Sequence, residues 1–186
     1  MASTLVVNVL DLLRRPGSEK TVAVTAKAEI FDFADSRIDV AADVEINISL
    51  ESSSTGIIAT GEAHVEWKSV CRRCLRPVGG LADAQIDEAF SKQVPARHAA
   101  PVGEHASAEL DTEPIVGDQI DFTLIVREAI LLAVPDAPLC RADCKGLCPQ
   151  CGADRATVDC GCVTEVRDER WAALDALRGQ LDDTVE

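Results

Sequence analysis

The chain has 186 residues, 47% of them apolar, with 32 Asp and Glu against 18 Lys and Arg for a formal net charge of −14. That length and apolar content suit one globular domain with an appendage, or two small domains, and argue against disorder throughout. The charge argues against indiscriminate nucleic-acid binding, whose affinity comes mostly from Lys and Arg, and no run of about 18 apolar residues is present to cross a membrane.

The N-terminal stretch MASTLVVNVLDLLRRPG carries Asn8 and Asp11 in its apolar run. Arg14 and Arg15 follow the run instead of preceding it, the wrong order for a secretory signal. The expected compartment is therefore the cytoplasm. Thiols stay reduced there, so eight cysteines point to metal or redox chemistry and away from disulfides.

Strand patterns fill the first half. One strand is expected over Thr21 to Ile30. Val44, Ile46, Ile48 and Leu50 then alternate with polar residues, as a strand with one buried and one wet face requires. SSSTG at 52–56 reads as a turn, with Gly56 free to take positive φ. Ala63, Val65 and Trp67 alternate again on the return, which makes an antiparallel hairpin, and a further strand covers Ala84 to Phe90. The periodicity fails over about 91–117, rich in Ala, Pro and Gly, where a long mobile loop is expected. A helix follows over about 121–134. Asp121 is placed to cap it, Phe122, Ile125, Val126, Ala129 and Leu132 form its apolar stripe, and Pro135 stops it. A second short helix is expected in RDERWAALDALRGQ, capped by Asp168, with Trp171, Leu174 and Leu177 as its stripe. The expected fold is α+β: a mainly antiparallel twisted sheet or barrel-like body over 1–135, and a cysteine-rich, zinc-binding segment with a C-terminal helix over 136–186.

Six of the eight cysteines fall in the 23 residues CRADCKGLCPQCGADRATVDCGC, and the other two form Cys71-x2-Cys74. CPQCG has the form of a zinc knuckle: two thiolates on a tight turn, backbone amides aimed at the first sulfur, and Gly152 relieving the crowding after the second. Four pairs yield two tetrahedral four-thiolate sites, for which Zn2+ is the default ion. The simplest pairing joins Cys148, Cys151, Cys160 and Cys162, because eight residues separate the inner two. The second site then takes Cys71, Cys74, Cys140 and Cys144 across 65 intervening residues. The longer closure adds only about 2 kcal/mol, small beside the roughly 10–16 kcal/mol of structural zinc binding. Other pairings, and one zinc with free thiols, satisfy the same count. The ferredoxin cysteine run is absent, which disfavours an iron–sulfur cluster.

No phosphate-binding loop, dinucleotide fingerprint or nucleophile elbow occurs. His64 lies on a wet strand face and His98 and His105 in the loop, each reading as isolated and exposed. No enzyme activity and no small-molecule substrate are expected. Positive charge concentrates at Lys68, Arg72, Arg73 and Arg76, with no acid from Trp67 to Gly80, and Arg141, Lys145 and Arg155 lie near the later cysteines. These cations either neutralise zinc–thiolate sites of charge −2 or form a phosphate-contacting surface on an acidic body. With two Trp, four Phe and no Tyr, base stacking is not expected to dominate.

The order WKSVCRRCLRP, then DFTLIVREAILLAVPDAPLC, then DCKGLCPQCG resembles the YceD-like family of large ribosomal RNA accumulation proteins. The resemblance is clearest from Gly61 to Pro77 and from Asp121 to Cys162. It implies a non-catalytic cytoplasmic factor needed for accumulation of 23S ribosomal RNA and assembly of the large subunit. The implied partners are 23S RNA or a large-subunit precursor, and the small zinc-ribbon ribosomal protein of that subunit. Two other readings fit the residues: a zinc-dependent thiol switch or oxidoreductase, and an acidic protein-only adaptor for a basic ribosomal protein.

Overall fold

The computed structural model describes residues 5–92, 112–162 and 170. The expected C-terminal helix, apart from Arg170, and most of the expected loop lie outside them. The chain divides into two compact units, Met1–Cys71 with Arg76–Cys140, and Arg72–Leu75 with Arg141–Glu186.

The first unit is built on strands. Its elements run β1 (Val6–Asn8), α1 (Leu10–Arg14), β2 (Glu19–Lys27), a 3-10 turn (Ala28–Phe31), β3 (Asp43–Ser52), β4 (Ile57–Val70), β5 (Pro77–Ser91), β6 (Glu113–Pro114), β7 (Gln119–Asp121) and α2 (Thr123–Ala133). Five strands form one sheet in the order β2-β3-β4-β5-β6, antiparallel except for the short parallel β5–β6 pairing, and β1 pairs with β7 in a second, two-stranded sheet. The larger sheet is open, so the barrel-like alternative is corrected: β2 and β6 are its two edges.

The hairpin follows from period-two alternation. Val44, Ile46, Ile48 and Leu50 on β3 are buried with Ala63, Val65 and Trp67 on β4, while Asp43, Glu45 and Glu62 face water. Gly56 corrects the sequence reading of its turn, since it does not adopt a left-handed φ. A side chain is excluded there by proximity, because a Cβ would lie 1.8 Å from the Phe90 carbonyl oxygen. The Ser53 hydroxyl accepts from the Gly56 N–H at 3.1 Å and braces the turn.

Three boundaries differ from expectation. β2 ends at Lys27, and Ala28–Phe31 turns as a 3-10 segment that buries Ala28 and Phe31. β5 begins at Pro77, seven residues before the alternation becomes legible at Ala84, because Gly79 and Gly80 leave no pattern to read. Part of the expected 91–117 loop is strand: Ser91 ends β5, and Glu113 and Pro114 pair with Phe90 and Ser91.

Helix α2 lies against β4, β5 and the 3-10 turn. Its buried stripe is Val126 and Ile130, flanked by Phe122 and Val134, and Phe122 meets Phe90 edge-on at 5.5 Å. Leu132 was expected in this stripe but is 88% exposed. A stripe written on 122, 126, 130 and 134 already fills the contact face, and 132 falls on the opposite side. Asp121 sits one residue before the cap position, where its carboxylate accepts from the Thr123 N–H at 2.9 Å. Among the described residues no helix is long and apolar enough to cross a membrane.

Because Ile48 has no exposed surface, Ile48→Ala should cost about 2–5 kcal/mol in a urea titration. Leu132→Gln should stay within about 0.5 kcal/mol of the parent. A large loss from the second change would show that the outer face of α2 is covered.

Candidate metal centres

The eight thiols collect in two groups of four. In the group Cys148, Cys151, Cys160 and Cys162, and in the group Cys71, Cys74, Cys140 and Cys144, the sulfurs lie within 4.8 Å of one another. All eight cysteines are free of disulfides. Four sulfurs bound at about 2.3 Å around one tetrahedral ion stand roughly 3.8 Å apart, so both donor sets fit a four-thiolate metal site. Each can hold a metal ion.

Local backbone geometry accounts for the first group. Gly152 N–H donates to the Cys148 carbonyl at 2.9 Å, Cys148 N–H to the Ala153 carbonyl at 2.8 Å, and Leu147 bridges to Asp154. These bonds fold CPQCG into a knuckle, and Gly152 (φ +73°) and Gly161 (φ +61°) adopt the left-handed backbone that its bends require. The amides of Cys151 and Gln150 donate to the Cys148 sulfur, and these bonds above all bring its pKa down to about 6. Cys162 is pushed up to about 12, chiefly by hydrogen bonding to Cys151, Cys160 and Cys148. The cause is shared hydrogen bonding: amides and neighbouring thiols stabilise the Cys148 thiolate, while the Cys162 thiol is held protonated by its bonds to the other three sulfurs, with the Cys148 charge a minor contribution.

At the second C-x2-C, Cys71 N–H donates to the Arg76 carbonyl at 2.8 Å and closes the turn, with Leu75 left-handed at φ +59°. Within the second unit the tip Arg72–Leu75 is tied to the later cysteine segment. The Arg73 guanidinium donates to the Cys144 carbonyl at 2.9 Å, and Leu147 N–H donates to the Arg73 carbonyl at 3.0 Å. Gly146 permits this approach: it is left-handed at φ +72°, and a Cβ would lie 2.9 Å from the Arg73 carbonyl oxygen. Sequence reasoning missed this use of Arg73, because an arginine between two cysteines reads only as a surface cation. The glycine in CKGLC was the one available signal.

All seven candidate cations are exposed. Arg72, Arg73, Arg141, Lys145 and Arg155 belong to the second unit, and Lys68 and Arg76 to the first. Lys145 and Arg155 line a cleft of about 270 Å³ together with Cys148, Cys160 and Cys162. Arg141 stands 3.4 Å from Asp143. His64 corrects its reading as isolated: its Nδ1 is 2.8 Å from Asp83 and its Nε2 is 3.6 Å from Glu62. His98 and His105 lie outside the described residues.

Fold and thiol geometry together define a strand-built protein with two four-thiol groups able to hold metal ions. Comparison with known proteins places it further. A family model described as "Large ribosomal RNA subunit accumulation protein YceD" matches residues 59–178. An uncharacterized protein of Mycobacterium tuberculosis is 32% identical over 189 residues, covering 100% of this chain and 86% of the relative. One from Mycobacterium leprae is 29% identical over 196 residues, covering 100% of this chain and 83% of its own. The Arabidopsis thaliana chloroplastic "Large ribosomal RNA subunit accumulation protein YCED homolog 1" is 32% identical over 63 residues, 34% of this chain and 20% of the plant protein. No solved structure matches. The chain belongs to the YceD family.

Gly146→Ala should loosen the contact with Arg73. The left-handed backbone alone costs roughly 1–2 kcal/mol for a non-glycine residue, and the carbonyl clash adds to it. Amide exchange at Leu147 should accelerate while exchange in the β3–β4 hairpin stays unchanged.

Proposed function

We propose that this chain is a non-catalytic cytoplasmic factor that supports 23S ribosomal RNA accumulation and large-subunit assembly. In this reading its cysteine segment is held by two Zn2+ ions and contacts precursor RNA. The carrying observation is a local reversal of charge. Residues 72–75 and 141–162, which carry six of the eight cysteines, hold Arg72, Arg73, Arg141, Lys145 and Arg155 against three acids, Asp143, Asp154 and Asp159. The whole chain carries −14. A basic island on an acidic body binds phosphate only where the island is presented, so placement selects the site on RNA and diffuse attraction is suppressed.

The zinc ions would be held by Cys148, Cys151, Cys160 and Cys162, and by Cys71, Cys74, Cys140 and Cys144. Bound zinc supplies the cation that lets four crowded thiols ionise together, and so fixes a short, turn-rich segment that has little core of its own. Lys145 and Arg155, in the cleft beside the first site, offset its −2 charge as well as facing solvent. Arg73 is a positioning residue, since its guanidinium is engaged with the Cys144 carbonyl.

A second reading is supported by the solvent face of the sheet. Glu19, Asp43, Glu45, Glu51, Glu62, Glu66, Asp83 and Asp87 stand there against Lys27 and Lys68. Such a face suits a basic ribosomal protein, including the small zinc-ribbon protein of the large subunit.

Elemental assay of protein purified in reductant should give two zinc ions per chain, and Cys148→Ser with Cys151→Ser should give one. A metal-free chain of unchanged fold would end this reading of the cysteines. Reversing Arg72, Lys145 and Arg155 to Glu, with Arg73 left intact, should weaken co-sedimentation with large-subunit precursors on the order of tenfold or more, and raising salt should weaken the parent likewise. Unchanged sedimentation of the triple variant, together with binding to an isolated basic ribosomal protein, would favour the adaptor reading instead.

A further inference from the structure

Among the described residues the outer edge of β2 is unpaired. Its inner neighbour is β3 in a nine-residue antiparallel register from Glu19↔Glu51 to Lys27↔Asp43, and among the described residues no strand pairs with its other side. Neighbouring bonds show which amides look outward. Ser52 N–H donates to the Ser18 carbonyl, and Ala28 N–H to the Ala42 carbonyl. With the period of two, even-numbered β2 residues face β3, so the N–H and C=O groups of Glu19, Thr21, Ala23, Thr25 and Lys27 point away from the sheet.

Edges of this kind are ordinarily blunted by proline, bulges or central charges. The middle of β2, Thr21–Ala26, has none of these. Its core-side residues are also left incompletely covered: Val22 and Ala26 are half-buried and Val24 is 37% exposed.

The strand reads EKTVAVTAK, and its centre T-V-A-V-T is a palindrome about Ala23. We propose that β2 pairs antiparallel with β2 of a second copy of this chain, on a two-fold axis at Ala23. That register sets Thr21 opposite Thr25 of the second copy, Val22 opposite Val24, and Ala23 opposite Ala23. It also brings Glu19 opposite Lys27 at both ends, so the charges are self-complementary. Facing residues share a side of the sheet. The two valine pairs therefore add to the core face, the threonine pairs lie on the wet face, and the two five-stranded sheets become one. The outward groups of the odd-numbered residues supply about ten N–H···O bonds, two for each hydrogen-bonded pair. The joint is isologous, as a closed two-fold dimer requires. Two chains of charge −14 repel, so salt should tighten the dimer.

Sedimentation of the full chain with its metals in place tests this. From low micromolar concentration upward the mass should rise from 19.8 kDa toward twice that value, more readily at higher ionic strength. Ala23→Pro removes an outward N–H that β3 does not use, a position where an edge strand accepts proline, and it should abolish the dimer with the far-ultraviolet dichroism unchanged. Glu19→Lys turns both end pairs repulsive and should weaken association about tenfold. In NMR exchange, the amides of Thr21, Ala23 and Thr25 should gain protection as concentration rises, whereas those of Val22 and Val24 should be protected throughout. A chain that stays monomeric across the range, a dimer indifferent to Glu19→Lys, or concentration-independent exchange at Thr21, Ala23 and Thr25 overturns the proposal. The first of these outcomes would leave the edge to a strand of some other protein.

Discussion

The antiparallel pairing of β4 with β5 is the constraint on which the first unit depends. It runs unbroken from Ile57↔Phe90 to Val70↔Pro77. One face of this ribbon presents Ala59, Val65, Ala84 and Ile86 to the core, and α2 packs there. Register along it is strongly specified, because a slip of one residue would turn each of these side chains to water. The turn that leaves its far end carries Cys71 and Cys74, so a pattern of alternating apolar residues also determines where two sulfurs are presented.

The thiols obey a different physics from the sheet. Few large apolar side chains are buried among residues 141–162, and the order there comes from short-range backbone bonds and left-handed glycines. These place four donors at the spacing of one tetrahedral ion. Burial stabilises the strands, and coordination is suited to stabilise the knuckle, where apolar area is scarce. The asymmetry in ionisation between Cys148 and Cys162 comes from the same close set of hydrogen bonds, in which amides stabilise one thiolate and three sulfurs hold the proton of another.

What was legible in the sequence follows these two kinds of physics. Alternation in Val44–Leu50 and Ala63–Trp67 exposes the hairpin, because each residue type reports its own side of the sheet. Gly79 and Gly80 have no side to report, so the first half of β5 was silent. The 3-10 turn at Ala28–Phe31 was hidden for the opposite reason: its apolar residues continue the strand pattern while the backbone leaves it. Leu132 misled because a helical stripe read from 122 to 132 can be drawn through more than one set of apolar positions, and only packing on the sheet selects Val126 and Ile130. Spacing alone brought the cysteines into two sets of four. The engagement of Arg73 with Cys144 was not legible, since it depends on a chain approach made possible by Gly146.

Trp67 is nearly buried on β4, and a Cβ at Gly80 across the ribbon would lie 3.6 Å from its indole. The chain has two tryptophans and no tyrosine. Its near-ultraviolet absorption and emission therefore come almost entirely from two indoles, one of which sits on the β4–β5 ribbon. Opening of the ribbon can be followed by tryptophan emission, with no dye or label attached.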